Sequence, residues 1–291
     1  VSGRRGGGVD GLLVVDKPAG MTSHDVVARV RRRFGQRRVG HAGTLDPDAT
    51  GVLLVGLGRV TRLLRFLSAA GKSYEGEVVL GVETSTQDAA GEVVARHDMA
   101  GVTVHDVRRA AAGLVGEISQ VPPMVSAVKV GGRRLHALAR AGLEVPRAPR
   151  RVRVERFDVA GVPGEPGVFR IWVDCSSGTY VRTLAADLGR ALGGGAHLRS
   201  LRRTAVGPFT IAEARPWEEA PVLPPVEAMR GFPRVVVGDD EARAVATGRP
   251  LLRLGPGVVA VVGPAGDLLA VYDGGRASVV LAGGGGDGDD G

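Results

Sequence analysis

Apolar and polar positions follow two rhythms along this chain, and the rhythm changes at glycines and prolines. Residues 11–15 form an unbroken apolar run of strand length, and Lys17-Pro18-Ala19-Gly20 turns the chain after it. Val26, Val27, Val30 and Phe34 then recur at helical spacing. Thr22 with Asp25 supplies a capping box before them, and Gly35 a stop after them. A glycine-punctuated loop, residues 40–51, leads into a second apolar strand at 52–55, and residues 61–67 are predicted as a short helix. Residues 74–80 alternate: Tyr74, Gly76, Val78 and Leu80 share one face, while Glu75, Glu77 and Val79 share the other. Thr103 and Asp106 open a further helix, with Val107, Ala111, Leu114 and Val115 expected to face inward. Residues 168–175 alternate again through Phe169, Ile171, Val173 and Cys175. Residues 180–192 return to helical spacing through Val181, Leu184, Leu188 and Leu192, and three glycines end the run.

Residues 1–8 read as a disordered tail, and 9–215 as the main domain with a basic insertion at about 116–150. Pro216, Pro221, Pro224 and Pro225 mark a linker over 216–229. Residues 230–283 hold short strands at 235–237, 258–262, 268–271 and 278–281, the pattern of a small barrel or sandwich. Residues 284–291 form a disordered acidic tail. No internal repeat interrupts this order.

Composition narrows the function classes. The formal charge is +7, which favours a polyanionic partner. Of 38 lysines and arginines only Lys17, Lys72 and Lys129 are lysine, and all three are expected to be contacts. A single cysteine, Cys175, excludes an internal disulfide and sits where a small buried side chain belongs. No apolar run reaches the roughly 20 residues that span a membrane. The first eight residues lack an apolar signal-peptide segment, so a cytoplasmic protein is expected. The six histidines are scattered without ligand spacing, and no dinucleotide or Walker fingerprint occurs, so neither metal nor cofactor is expected.

The candidate chemistry centres on Gly40-His41-Ala42-Gly43-Thr44-Leu45-Asp46-Pro47-Asp48-Ala49-Thr50-Gly51. Asp46, held on a loop between a basic segment and a buried strand, reads either as a reactive carboxylate or as a surface Asp-Pro turn. Arg31, Arg32 and Arg33 suit a helix C-terminus and suit phosphate equally. The arginine-rich insertion reads as an RNA-gripping arm or as a solvated surface.

Five stretches together resemble the TruB-type tRNA pseudouridine synthases. The loop at 40–51 resembles that family's catalytic-aspartate loop, and residues 11–23 its opening motif. Lys72-Ser73-Tyr74 resembles its base-stacking strand, and residues 175–183 its motif with tyrosine and arginine. Gly195-Ala196-His197-Leu198 with Leu201-Arg202-Arg203-Thr204 resembles the segment that follows. The resemblance implies an α+β pseudouridine-synthase fold with a mixed, largely antiparallel sheet, flanking helices and a PUA-like C-terminal β domain. It implies Asp46 as the catalytic carboxylate, Arg182 as its cationic partner and Tyr74 as the ring that stacks the base. His41, Tyr180, Leu201, Lys17, Asp88 and Lys129 would contact substrate, His41 by filling the gap a flipped uridine leaves and Asp88 also by positioning Arg182. The partner implied is the T-arm of tRNA, modified at uridine 55 by a monomer with no obligate protein partner, no cofactor and no membrane. The competing reading is a non-catalytic tRNA-binding or tRNA-folding chaperone; a guide-RNA-dependent synthase and a carboxylate glycosidase fit less well. The chain departs from the family at Asp48, expected to face solvent, and at Val125 and His136, where many members carry tyrosine.

Overall fold

The structure is a computed structural model that describes residues 8–123, 129–130, 133–134 and 145–282. In chain order its elements are β1 (Gly11–Lys17), α1 (Ser23–Phe34), β2 (Val39–Ala42), β3 (Thr50–Leu57), a 3-10 turn (Gly58–Leu63) and α2 (Leu64–Ala69). There follow β4 (Lys72–Leu80), β5 (Val82–Thr84), β6 (Val93–Arg96), α3 (Val104–Ala112), β7 (Gly116–Gln120), β8 (Lys129–Val130) and β9 (Arg133–Arg134). After them come β10 (Arg150–Gly161), β11 (Val168–Cys175), α4 (Val181–Ala191), β12 (Ala196–Val206) and β13 (Phe209–Thr210). The chain closes with β14 (Arg234–Val236), α5 (Asp239–Ala246), β15 (Val258–Val262), β16 (Leu268–Asp273) and β17 (Arg276–Val280). Val125 and His136 lie outside the described residues.

One mixed sheet organises the molecule, in the order β1-β3-β12-β4-β11-β10-β7, with β2 on β3 and β13 on β12. All its pairings are antiparallel except β12 with β3. That parallel seam is short, pairing Arg202 with Thr50 and Arg203 with Gly51. Gly51 is required there: its φ is +101°, and a Cβ would stand 2.2 Å from the Arg203 carbonyl oxygen. The chain can therefore bring the loop before β3 directly against β12.

The expected alternation of β4 holds, with Lys72, Tyr74, Gly76, Val78 and Leu80 on the buried face. α1 and α3 both start on complete capping boxes, Thr22 with Asp25 and Thr103 with Asp106. Gly35 ends α1 in the left-handed conformation. Three expectations change. The helix expected at 61–67 is a 3-10 turn running into α2. Val115 is 42% exposed, because α3 stops at Ala112 and the helical phase is lost at Gly113. The C-terminal segment is a four-stranded sheet, β14-β15-β16-β17, carrying a helix, α5, that strand spacing alone did not foretell.

The first core lies between one sheet face and α3 and α4, and includes Val78, Ile171, Val173, Cys175, Leu184 and Leu188. Cys175 is buried at 2% exposure, as its place in the alternation predicts. A second core joins β1 and β3 to the C-terminal sheet through Leu12, Val14, Leu54, Val271, Val279 and Leu281. No helix among the described residues is long and apolar enough to cross a membrane.

Candidate active site

The loop between β2 and β3 is pinned at several points, and Asp46 stands at its exposed apex. Leu45 is buried in the first core, and Ser23 at the start of α1 brackets it: Leu45 N donates to Ser23 Oγ (2.9 Å), which donates to Leu45 O (3.3 Å). From β12 the Arg203 guanidinium donates to the carbonyls of Val52 (2.7 Å), Gly43 (3.1 Å) and Thr44 (3.4 Å). From β1 the Lys17 ammonium donates to the carbonyls of Pro47 (2.8 Å), Pro18 (2.8 Å) and Met21 (2.6 Å). The Ala49 amide closes the turn on Asp46 O (3.2 Å). Buried carbonyls need such donors, so these contacts fix the loop as well as satisfy it.

Arg182, in the first turn of α4, meets the Asp46 carboxylate side-on. Its Nε lies 3.0 Å from Oδ2 and its Nη2 3.3 Å from Oδ1. The paired planes of a guanidinium and a carboxylate favour this two-point geometry. Behind Asp46, Arg182 Nη1 donates to Asp88 Oδ2 (3.1 Å) and to Thr86 O (3.2 Å). Asp88 is held in turn by the Thr86 hydroxyl and the Ala90 amide. Its neighbour Gln87 has φ 64°, in the left-handed region that non-glycine residues seldom enter. The Arg182 side chain is 5% exposed and that of Asp46 42%. One buried cation is thus shared by two carboxylates, of which Asp46 is the more exposed.

Burial pushes the Asp46 pKa up; Arg182 opposes this, Asp88 adds to it, Lys17 opposes it and Asp48 adds least. Burial thus outweighs the cation beside the carboxylate. Asp48 itself is exposed, as expected.

Asp46 forms a wall between two cavities of about 270 Å³ each. The first is lined by Asp46, Tyr74, Tyr180, Arg182, Leu201 and Arg203. The second shares Asp46, Arg182 and Leu201 and adds Asp48 and Asp88. Tyr74 projects from β4 and is 7% exposed; burial pushes its phenol pKa up, while the adjacent Arg203 opposes the rise. The first cavity therefore combines an aromatic ring, a leucine and an ion pair in a space suited to a nucleobase.

The expected site residues divide by position. Asp46, Tyr74, Tyr180, Arg182 and Leu201 come together around one cavity, and Asp88 stands behind Arg182. Lys17, expected at the substrate, is fully buried, and its ammonium is engaged by three backbone carbonyls, so it braces the loop. Burial lowers its pKa to about 8 even though Asp48 and Asp46 act in the opposite direction. Lys72 is likewise turned inward, 8% exposed, with its ammonium on Ser68 O (2.9 Å) and Ala70 O (2.7 Å). His41 lies on β2 and lines neither of these two cavities. Its ring meets His24 edge-on at 5.1 Å, its buried Nδ1 has no partner among the described residues, and burial lowers its pKa to about 4. Arg31 and Arg33 are tied to backbone carbonyls, of Val39 and of Trp217 and Ala220. Lys129 lies on β8, and its side chain is outside the described residues.

Arg203 was missed as a site residue, although it lay inside a recognised motif. The signal was the two-residue period of a strand, which puts Arg203 on the same face as Leu201. Among the described residues no group of three or more His, Cys, Asp or Glu side chains is placed to hold a metal.

Comparison with known proteins agrees along most of the chain. The model of the TruB family pseudouridylate synthase N-terminal domain matches residues 31–181. That of the tRNA pseudouridylate synthase B C-terminal domain matches 182–219, and that of the tRNA pseudouridine synthase II C-terminal segment matches 232–281. The chain is 51% identical to tRNA pseudouridine synthase B of Rhodococcus jostii (strain RHA1), covering 93% of each protein. It is 49% identical to the tRNA pseudouridine synthase B of Mycobacterium sp. (strain KMS), covering 93% of this chain and 94% of that one. Among solved structures it is similar to a chain of a Cbf5-Nop10-Gar1 complex, with TM-score 0.70 and 27% identity over 92% of this chain and 83% of the other.

Proposed function

We propose, from the premise that this chain belongs to the TruB family of pseudouridylate synthases, that it is a tRNA pseudouridine synthase acting on uridine 55 of the T-loop, with Asp46 as its catalytic carboxylate. The observation that carries the reading is the Asp46–Arg182 pair on the wall of a cavity lined by Tyr74 and Leu201.

Isomerisation breaks the bond between N1 and C1′, turns the base, and joins C1′ to C5. The C5 proton is lost and N1 gains one, so atoms and charge balance with no co-reactant. The uridine must leave its stack to be reached, and Tyr74 with Leu201 supplies a surface to receive it. Asp46 then stands at the reacting atoms. A carboxylate whose basicity burial has raised, held side-on by Arg182, is suited to take part transiently in nucleoside chemistry. Asp88 keeps the guanidinium in place. Tyr180 packs at the cavity rim, and His41, which burial keeps neutral at physiological pH, fills the space the base vacates. Lys129 and the insertion contact RNA phosphates. The protein works on the T-arm as a monomer without a protein partner.

Asp46→Asn tests the reading against a purely binding role. RNA affinity comes mostly from phosphate contacts and stacking, so the variant should bind a T-arm hairpin within about tenfold of wild type, roughly 1.4 kcal/mol. Its release of tritium from uridine labelled at C5 should fall below detection. Release near the wild-type rate would remove Asp46 as the catalytic carboxylate, whereas no release from the wild type itself would leave a tRNA-binding protein as the better description.

A further inference from the structure

We propose that Gln120 is a positioning residue for this chemistry: an amide clamp that fixes the first turn of α4 and, through it, the seating of Arg182 on Asp46. The inference rests on the roles proposed above for Asp46 and Arg182.

Gln120 is the last residue of β7, at an edge of the main sheet, where it pairs with Arg150. Its side chain points inward and the residue is 2% exposed. Nε2 donates to Tyr180 O (3.2 Å), and Oε1 accepts from Tyr180 N (3.0 Å). A carboxamide has one accepting and one donating end, so only one orientation of the group meets both contacts. A side chain thus gives Tyr180 what a neighbouring strand would give it, across 60 residues of sequence.

Tyr180 is where this matters. It is the N-cap of α4, with φ −99° and ψ 107°, and its own side chain makes no capping bond. Its carbonyl also accepts from the Leu184 amide (3.1 Å), the first hydrogen bond of the helix. Gln120 and the helix together therefore fix the plane in which α4 begins. Arg182 follows two residues later. From the other side, Asp88 and the Thr86 carbonyl hold its guanidinium, and Thr183 Oγ1 donates to Gln87 Oε1 (3.0 Å). The turn is gripped from both flanks, and Gln120 is the grip that holds its backbone and touches neither carboxylate. Filling space alone would need no amide here, since methionine or leucine has similar bulk. Satisfying both backbone groups of Tyr180 does need one.

The test compares Gln120→Met, which keeps the bulk and loses both bonds, with Gln120→Asn, which keeps the amide on a shorter arm. Three quantities are measured: T-arm hairpin affinity, single-turnover tritium release, and the pH dependence of that release. Asp46 is faced by Arg182 from α4, Asp88 from the segment after β5, Lys17 from β1, Asp48 from its own loop and Tyr74 from β4. Of these, Arg182 is the group that losing the clamp would unseat, and it is the one that most opposes the effect of burial on Asp46. Gln120→Met should bind the hairpin within about threefold of wild type while its turnover falls on the order of tenfold or more. The acid limb of its pH–rate profile should move to higher pH. Gln120→Asn should lie between it and wild type, and it reads the same limb if the methionine variant does not fold. Wild-type rate and limb in both variants would overturn the proposal. So would a rate that falls only with the folded fraction while the limb stays put. Asp46→Asn run alongside separates the two readings. If it still releases tritium, the site assignment fails; if it is silent while the Gln120 variants turn over normally, only the clamp fails.

Discussion

At the scale of single residues, the cavity depends on groups that brace its loop as well as on groups that line it. Asp46, Tyr74 and Arg182 each sit in a recognisable motif, and the structure brings them around one cavity. Lys17 sits in an equally clear motif, yet its three protons are turned onto Pro18, Met21 and Pro47. Residue type and spacing do not tell a phosphate contact from a loop brace, because both need a compact ammonium. The difference lies in the path of β1 beneath the loop, which only the fold supplies. Lys17→Met should accordingly leave hairpin affinity near wild type while turnover falls, and unsatisfied carbonyls should cost about 1–3 kcal/mol each in stability. Its pH dependence has a defined sign. Folding lowers the Lys17 pKa from 10.5 to about 8, so between those values the unfolded chain holds the proton that the folded one has released. Stability gains from this group as pH rises through that window. Lys72, also lowered to about 8, acts in the same direction. Urea melts at pH 7.5 and pH 9.5 should therefore show a smaller gain for Lys17→Met than for wild type. An equal gain would remove Lys17 as a source of the effect.

At the scale of elements, legibility followed the strength of the local signal. α1 and α3 were readable from their capping boxes, and β4 and β11 from strict alternation. α5 was not: its N-cap is Gly238, which offers no side-chain capping bond, and only eight residues separate the cap from Thr247. Its one fully buried residue, Val245, gives no periodicity to detect. The segment between β7 and β10 is read through its charge. If Arg133 and Arg134 meet phosphates, replacing both by alanine removes two counterion-releasing contacts. The slope of log affinity against log salt should then flatten by about 1.5. Filter binding to the T-arm hairpin across a salt series measures it, and an unchanged slope would place both arginines away from the RNA.

At the scale of the whole molecule, composition marked a boundary near the prolines at 216–225 that the packing bridges. The C-terminal sheet shares its core with β1 and β3. Arg62 and Arg65 reach from the 3-10 turn and α2 to the carbonyls of Val280 (2.7 Å) and Ser278 (3.0 Å), and Arg59 bonds the Leu281 carbonyl. Their spacing of three puts these arginines on one side of the helical run, beside the outer edge of β17. A sheet that completes another sheet's core should not melt alone. Calorimetry should show one unfolding transition, and two resolved transitions would mean that the C-terminal sheet unfolds independently. The inward lysines carry a last consequence, for chemistry done on the protein from outside. With Lys17 wholly enclosed and Lys72 nearly so, neither offers its amine to an acylating reagent while the protein stays folded. An active ester should thus leave both lysines unlabelled until denaturant opens the fold, so their acylation would count unfolded molecules without an introduced probe.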